Sequence, residues 1–225
     1  MSLFELANIH FGYVGRPAIL DGANLSLQEG DRLCITGHNG AGKSTMLRIM
    51  VGLLKPNKGS IQAFGQACVE DQDFHSVRQR AGLVFQDADD QLFCPTVAED
   101  IAFGPLNQGK TPEQAMQIVT DLLQEWELGY LQDRITHKLS GGEKRLVALA
   151  SVLAMQPEVL LLDEPTNALD ESNEARLVQI LQNLPQAMVL VSHDPHFRRK
   201  IGNRTLRLLD GKLVEPAASC RHAVA

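Results

Sequence analysis

The sequence predicts an α/β chain in which a parallel sheet wound by helices carries an antiparallel β portion near the start and an inserted helical segment. Three observations predict it. Short β-like runs alternate with helical patterns, as in parallel βαβ units. Three of those runs, Leu33-Cys34-Ile35, Val159-Leu160-Leu161-Leu162 and Val189-Leu190-Val191, are continuously apolar, which fits central strands covered on both faces. The stretch from about Asp87 to Lys144 has helix-like patterns but no strong strand, so it separates two β-rich portions.

Taken in order, β-like runs fall at residues 3–9, 24–27, 32–36, 60–64, 82–85, 159–163, 188–192, 205–209 and 212–214. Helices lie between them. Thr111-Pro112-Glu113-Gln114 reads as an N-cap, a proline at the first helical position and a capping-box glutamine, and Ile118, Val119, Leu122, Leu123 and Trp126 recur at helical spacing until Gly129. A second helix is expected from Ser140 to Gln156, stopped by Pro157, and a third from Glu171 to Leu184, ahead of Pro185. Residues 215–225 are expected to fray. The chain is then one domain over 1–225, with a core from 1–86 and 145–225 and a helical insertion at 87–144.

Composition excludes several classes. With 225 residues, 44% hydrophobic, 21% charged and 5% aromatic, the chain is expected to fold around a substantial core rather than to be disordered or collagen-like. A net charge of −6 repels polyphosphate backbones, so nucleic acid is not an expected partner and any anion site must be built locally. Arg198-Arg199-Lys200 reads as a solvated helix face. Cys34, Cys68, Cys94 and Cys220 include no CxxC pair and fit reduced thiols in a reducing compartment. Cys220 and His222 are too loosely placed to make a metal site. The N-terminus lacks a basic segment followed by an apolar one, and the longest uncharged apolar run, 146–155, is too short to span a bilayer.

The sharpest motif is Gly37-His38-Asn39-Gly40-Ala41-Gly42-Lys43-Ser44-Thr45, between an apolar strand and an apolar helix containing Met46, Leu47, Ile49 and Met50. Glycines let the backbone wrap a phosphate chain closely, so that several N–H groups converge on it, and the helix adds its positive end. Lys43 supplies a point charge to the β- and γ-phosphates, and the Ser44 hydroxyl is placed to ligate Mg²⁺. His38 by itself reads as a solvent-facing loop residue. The second apolar strand ends in Asp163-Glu164, where Asp163 can reach the Mg²⁺ shell and Glu164 can act as general base on a water attacking the γ-phosphate. His193, after the strand containing Val189-Val191, falls at the same sheet edge.

Leu139-Ser140-Gly141-Gly142-Glu143 precedes the second helix. Ser140 can cap it, and the two glycines expose N–H groups at its positive end, making a second anion site on one chain. One nucleotide has no need of both from the same subunit. This segment, the phosphate loop, Gln86 after its strand, Val159 to Glu164, Ala168-Leu169-Asp170 and Ser192-His193-Asp194 together resemble the ATP-binding cassette (ABC) ATPases over nearly the whole chain. The resemblance implies a P-loop, RecA-like core and a head-to-tail dimer sandwiching two ATPs, in which Ser140, Gly141 and Gly142 of one protomer close on the γ-phosphate held by the other. It assigns Gln86 to Mg²⁺ and to relaying nucleotide state, Asp170 to cross-interface coupling, and His193 to the γ-phosphate and the base region. It also places an adenine-stacking aromatic about two dozen residues before the loop, a position Tyr13 fits, with Phe11 as competitor.

Residues 85–105, including Asp87, Asp89, Asp90, Leu92 and Phe93, resemble the ATPases of energy-coupling-factor transporters, importers of vitamins and transition metals. The three aspartates beside two apolar side chains make an expected docking groove for arginine-bearing helices. This likeness implies a membrane-embedded scaffold, a separate substrate-capturing membrane subunit, and a place for the ATPase at the cytoplasmic face of the cell membrane, without contact to the solute. The chain ends soon after Lys212-Leu213-Val214, which resembles the dedicated nickel, cobalt or biotin systems, and Leu139 to Pro165 looks most like the nickel or cobalt ones. Asn167-Ala168 and Glu171 replace the family's more usual Ala-Gly and Pro around Leu169-Asp170. A soluble ABC ATPase of DNA repair or translation is the alternative of a different class, but those carry a long coiled-coil insertion or two cassettes in one chain. With both half-sites intact, two identical copies are the simpler expectation.

Overall fold

A computed structural model of the chain describes residues 2–167 and 169–216, so Ala168, Cys220, His222 and all but the first two residues of the 215–225 segment expected to fray lie outside the described residues. Among the described residues, ten strands form two sheets. Strands β1 (Ser2–Phe11), β2 (Leu20–Gln28), β4 (Lys58–Ala63) and β5 (Gln66–Cys68) make an antiparallel sheet in the order β2-β1-β4-β5. Strands β3 (Arg32–Thr36), β6 (Ala81–Val84), β7 (Val159–Asp163), β8 (Ala187–Val191), β9 (Arg204–Leu209) and β10 (Lys212–Val214) make the other, in the order β10-β9-β3-β8-β7-β6. From β9 to β6 every pairing is parallel, and β10 closes the edge as a hairpin on β9.

Side-chain alternation on the central strands builds two cores at once. Leu33, Ile35, Val159, Leu161, Val189 and Val191 face a core shared with the antiparallel sheet and helix α1 (Lys43–Met50). Their neighbours Cys34, Leu160, Leu162, Met188 and Leu190 face the opposite core, built with helices α3 (Val97–Asn107), α4 (Pro112–Glu125), α5 (Gly141–Leu153), α6 (Glu171–Asn183) and α7 (Pro195–Ile201). Continuous apolar runs are what such strands require.

The expected elements are present, and several boundaries move for identifiable reasons. The run expected at 24–27 extends to Leu20–Gln28 because pairing with β1 recruits Asp21 and Gly22, residues that locally favour turns. Helix α5 stops at Leu153 rather than Gln156, since Pro157 disfavours helical geometry in its predecessor and Gln156 turns left-handed at φ 54°. Helix α4 stops at Glu125, and Glu127 reverses the chain at φ 57° before Gly129. Helix α2 (Asp73–Arg80), which buries only Phe74 and Val77, and the three-residue β5 carry too little apolar periodicity to be read from sequence. Thr96 and Glu99 form a reciprocal capping box that starts α3.

Candidate active site

Strand order puts the chemistry on one edge. Adjacent parallel strands β3, β8, β7 and β6 deliver, at their carboxyl ends, the glycine-rich loop, His193, the Asp163-Glu164 pair and Gln86. The loop is shaped by glycine where it must be. Gly42, the residue before α1, sits at φ 104°, and a Cβ there would lie 2.3 Å from Ile19 Cγ2. Lys43 is 7% exposed and donates from Nζ to the carbonyls of Gly37 (3.0 Å) and His38 (3.1 Å), which curl the loop around the ammonium group. His38, Asn39 and Gly40 are exposed, Ala41 and Thr45 are buried, and the His38 ring meets the Asn39 carbonyl at 2.8 Å.

Ser44 Oγ donates to Asp163 Oδ1 at 3.0 Å, joining the start of α1 to the end of β7. Burial raises the Asp163 pKa, partly countered by the Ser44 hydroxyl, while the charge of Glu164 adds to the rise. Glu164 is buried in a left-handed backbone conformation, φ 47°, with its N–H fixed on Val191 O at 2.9 Å. A non-glycine residue held this way stores strain that aims the side chain. Its Oε2 accepts from His193 Nδ1 at 2.9 Å and from the His193 N–H at 3.3 Å. Two thirds of the His193 side chain is exposed against 8% for Glu164, so the imidazole opens outward while the carboxylate stays inside. Gln86 is exposed, two residues beyond β6.

Hydroxyl, carboxylate and amide oxygens from Ser44, Asp163 and Gln86 are the donor types a hard divalent cation takes. Among the described residues no group of three His, Cys, Asp or Glu forms a metal cage. This donor set fits an ion that arrives with phosphate oxygens and water, as Mg²⁺ does.

Phe11 and Tyr13 pack edge to face, ring centres 5.1 Å apart at 85°, with Phe11 buried and Tyr13 39% exposed. The accessible ring is therefore Tyr13. At the other glycine-rich segment, Ser140 Oγ accepts from the Glu143 N–H (3.3 Å) and Glu143 Oε2 accepts from the Ser140 N–H (2.8 Å), a complete capping box starting α5. Leu139 is buried beneath it. A Cβ on Gly141 would meet nothing within 4 Å, whereas one on Gly142 would lie 2.5 Å from Asn173 Nδ2. Asp170 caps α6, accepting from the Asn173 N–H (2.8 Å), Asn173 Nδ2 (3.0 Å) and Ser172 Oγ (2.9 Å), bonds that hold its pKa down.

The expected acidic groove is arranged differently from a single acidic wall. Asp87 caps the short 3-10 turn Ala88–Asp90 and accepts from the Asp89 N–H at 3.0 Å, and Asp89 pairs with Lys144. Leu92 packs into the second core. Phe93, 67% exposed, stands edge-on to Phe103 with centres 4.8 Å apart, and the groove beside them is lined by His75, Arg78, Asp100 and Met155 rather than by the three aspartates. Sequence reasoning missed Phe103, Gln91, Arg145 and Asn173. For Arg145 a signal existed, a cation directly before the apolar run Leu146-Val147-Ala148-Leu149-Ala150 at a core position of the helix; Asn173 and Gln91 had none.

A lysine-cradling phosphate loop, a hydroxyl-carboxylate pair, a strained buried glutamate and a second glycine-rich helix start define a nucleotide-hydrolysing cassette. The family model described as ABC transporter matches residues 20–167, and the chain belongs to this family of ATP-hydrolysing cassettes. It is 53% identical over 205 residues (91% of this chain, 85% of the relative) to a putative ABC transporter ATP-binding protein of Brucella suis. It is 38% identical over 216 residues (94% of this chain, 70% of the relative) to the energy-coupling factor transporter ATP-binding protein EcfA of Methanothermobacter thermautotrophicus. Among solved structures it is similar to the dimeric ATP-binding cassette MJ0796 in a post-hydrolysis state bound to ADP and Pi, with TM-score 0.85 and 30% identity over 94% of this chain and 96% of that one.

Proposed function

We propose that this chain is the motor of an energy-coupling-factor importer, working as a head-to-tail homodimer on a membrane-embedded scaffold that sits beside a separate substrate-capture subunit. The observation that carries the mechanism is the Glu164 carboxylate, buried, strained and held by His193, at the same sheet edge as Lys43 and the Ser44–Asp163 pair. ATP lies with its phosphates against the N–H groups of residues 37–45 and the Lys43 ammonium, and its base against Tyr13. Glu164 takes a proton from the attacking water, while His193 holds the carboxylate and faces the γ-phosphate. Ser44, Asp163 and Gln86 would hold Mg²⁺, which supplies positive charge at the β- and γ-phosphoryl oxygens.

Residues 139–143 of the second copy complete the site. Their capping bonds are satisfied within their own turn and Gly141 faces open space, so this helix start is free to receive a phosphate from another molecule. Asp170, at the head of α6, couples the two sites across the interface. In this reading 1–86 and 145–225 are the nucleotide core and 87–144 the helical part carrying the docking face, with Phe93 and Leu92 at its apolar centre and Asp87, Asp89 and Asp90 at its rim. Likeness at Leu139 to Pro165 favours nickel or cobalt as the solute, which this subunit never touches. Among the described residues no helix is long and apolar enough to cross a membrane, so the scaffold must supply the passage.

The test is Glu164→Gln. It leaves an acceptor for His193 and the phosphate cradle intact while removing the base, so hydrolysis is expected to fall by about 10²–10⁴-fold and an ATP-bound dimer to accumulate in size-exclusion chromatography with light scattering. A variant that stays monomeric with ATP refutes the sandwich.

A further inference from the structure

The backbone of Phe85, immediately before Gln86, is tied to α5 at both ends, directly at its carbonyl and through Gln91 at its N–H. Its carbonyl accepts from Arg145 Nη1 at 2.9 Å. Its N–H donates to Gln91 Oε1 at 3.1 Å, and Gln91 Nε2 in turn donates to Ala148 O at 2.7 Å and Ser151 Oγ at 3.2 Å. The second arm of Arg145, Nη2, reaches Asn167 O at 3.5 Å, and the Asn167 N–H is itself bonded to Glu164 O at 3.1 Å. One helix thus holds the segment leading into Gln86 and touches the turn that follows the catalytic glutamate.

Packing does not explain Arg145. Only 6% of it is exposed, and its neighbours in the helix, Leu146, Val147 and Leu149, show that apolar side chains fill this core. Burying a guanidinium carries a desolvation cost that a leucine would avoid, and that cost pulls its pKa down against the charges of Asp87 and Asp163. What a leucine could not supply is a planar fork that bonds two main-chain carbonyls at once.

We infer that Arg145 and Gln91 are positioning residues, a clamp that makes the Gln86 segment and α5 move as one piece. A displacement of Gln86 by nucleotide in one site then reaches Ser140–Gly142 at the start of α5 in the same chain. This rests on the head-to-tail reading above, in which those residues close on the nucleotide of the other protomer. The clamp therefore links the two ATP sites through a single helix.

The experiment uses the full-length cassette with Arg145→Lys, which keeps the charge but not the fork, and Gln91→Ala, which leaves Arg145 untouched. Binding of a fluorescent ATP analogue, kcat at saturating ATP, and ATP-dependent dimerisation in the Glu164→Gln background are measured for each. Each variant is expected to keep its nucleotide Kd within about twofold and to lose about tenfold in kcat, because geometry at the chemistry fails while the phosphate cradle stays. The double variant is expected to be no worse than the poorer single by more than about twofold, since both side chains hold the backbone of one residue, Phe85. Unchanged kcat, a Kd that weakens in step with kcat, or losses that multiply in the double variant overturn the clamp. If Arg145→Lys does not fold, Gln91→Ala alone decides through its split between kcat and Kd. Absence of an ATP-dependent dimer in Glu164→Gln with an intact clamp sinks the sandwich instead; a normal dimer with normal kcat in the clamp variants sinks only the clamp.

Discussion

Two adjacent carboxylates, Asp163 and Glu164, share one strand end and live in different environments. Asp163 faces Ser44 and the lysine loop, and its pKa is raised mainly by burial. A carboxyl whose folded pKa exceeds its unfolded value binds its proton more tightly when folded, so ionising it works against the fold as pH climbs through that window. Asp163 is therefore a buried carboxyl whose ionisation opposes folding. Asp163→Asn is expected to raise the melting temperature of the ATP-free protein at pH 7 and to abolish hydrolysis, with the thermal gain shrinking as the pH is lowered toward the ordinary carboxylate range. Differential scanning calorimetry at several pH values beside an ATPase assay checks both halves, and a variant that melts lower at neutral pH refutes the account. Glu164 has the complementary arrangement, with a positive φ and two bonds from His193 fixing where its second oxygen points.

At the scale of elements, α5 carries two adjacent glycines with opposite surroundings. A methyl on Gly141 meets open space within the chain; a methyl on Gly142 runs into Asn173. Gly141→Ala is expected to leave stability within about 0.5 kcal/mol, in the range of neutral surface changes, yet to cost more than about tenfold in kcat because its Cβ stands between backbone N–H groups and a phosphate. Gly142→Ala is expected to cost about 1–3 kcal/mol by overpacking. Urea unfolding and steady-state ATPase measurements separate the two, and full activity in Gly141→Ala counts against a role for this helix start in the second site.

Over the whole molecule, Phe93 and Phe103 form an exposed edge-to-face pair, the face that the proposed importer would offer to its membrane scaffold. Phe93→Ala with Phe103→Ala is expected to remove most co-purification with that scaffold and most solute uptake, at about 2 kcal/mol or more per lost anchor. Asp87, Asp89 and Asp90 changed together to Ala are expected to weaken capture less, because Asp87 is spent on a cap and Asp89 on Lys144. Nucleotide binding should persist in both, since the phosphate loop lies on a different strand end. Affinity purification from membranes and uptake with and without Lys43→Ala provide the readout, and undiminished capture by the phenylalanine variant removes this face from consideration.

Much of the site is legible in the sequence itself. The phosphate loop, the acidic pair, His193 and the capped glycine helix are contiguous motifs, and each sits where a strand or helix boundary is written in local chemistry: an apolar run, a proline, a capping serine. The sequence by itself determined which residues could do the chemistry and which strands lie buried on both faces, because those properties depend on residue type and spacing a few positions apart. Only the tertiary structure decided that β3, β8, β7 and β6 stand side by side, that Asp89 is spent on Lys144 while Phe93 stands exposed against Phe103, and that Arg145 of α5 and Gln91, itself bonded to α5, hold the backbone of Phe85. Contacts of this kind join residues far apart in the chain, as Ser44 and Asp163 are, 119 positions from one another. Nothing in a short window of sequence encodes such a distance; burial and the geometry of packed elements select the partner.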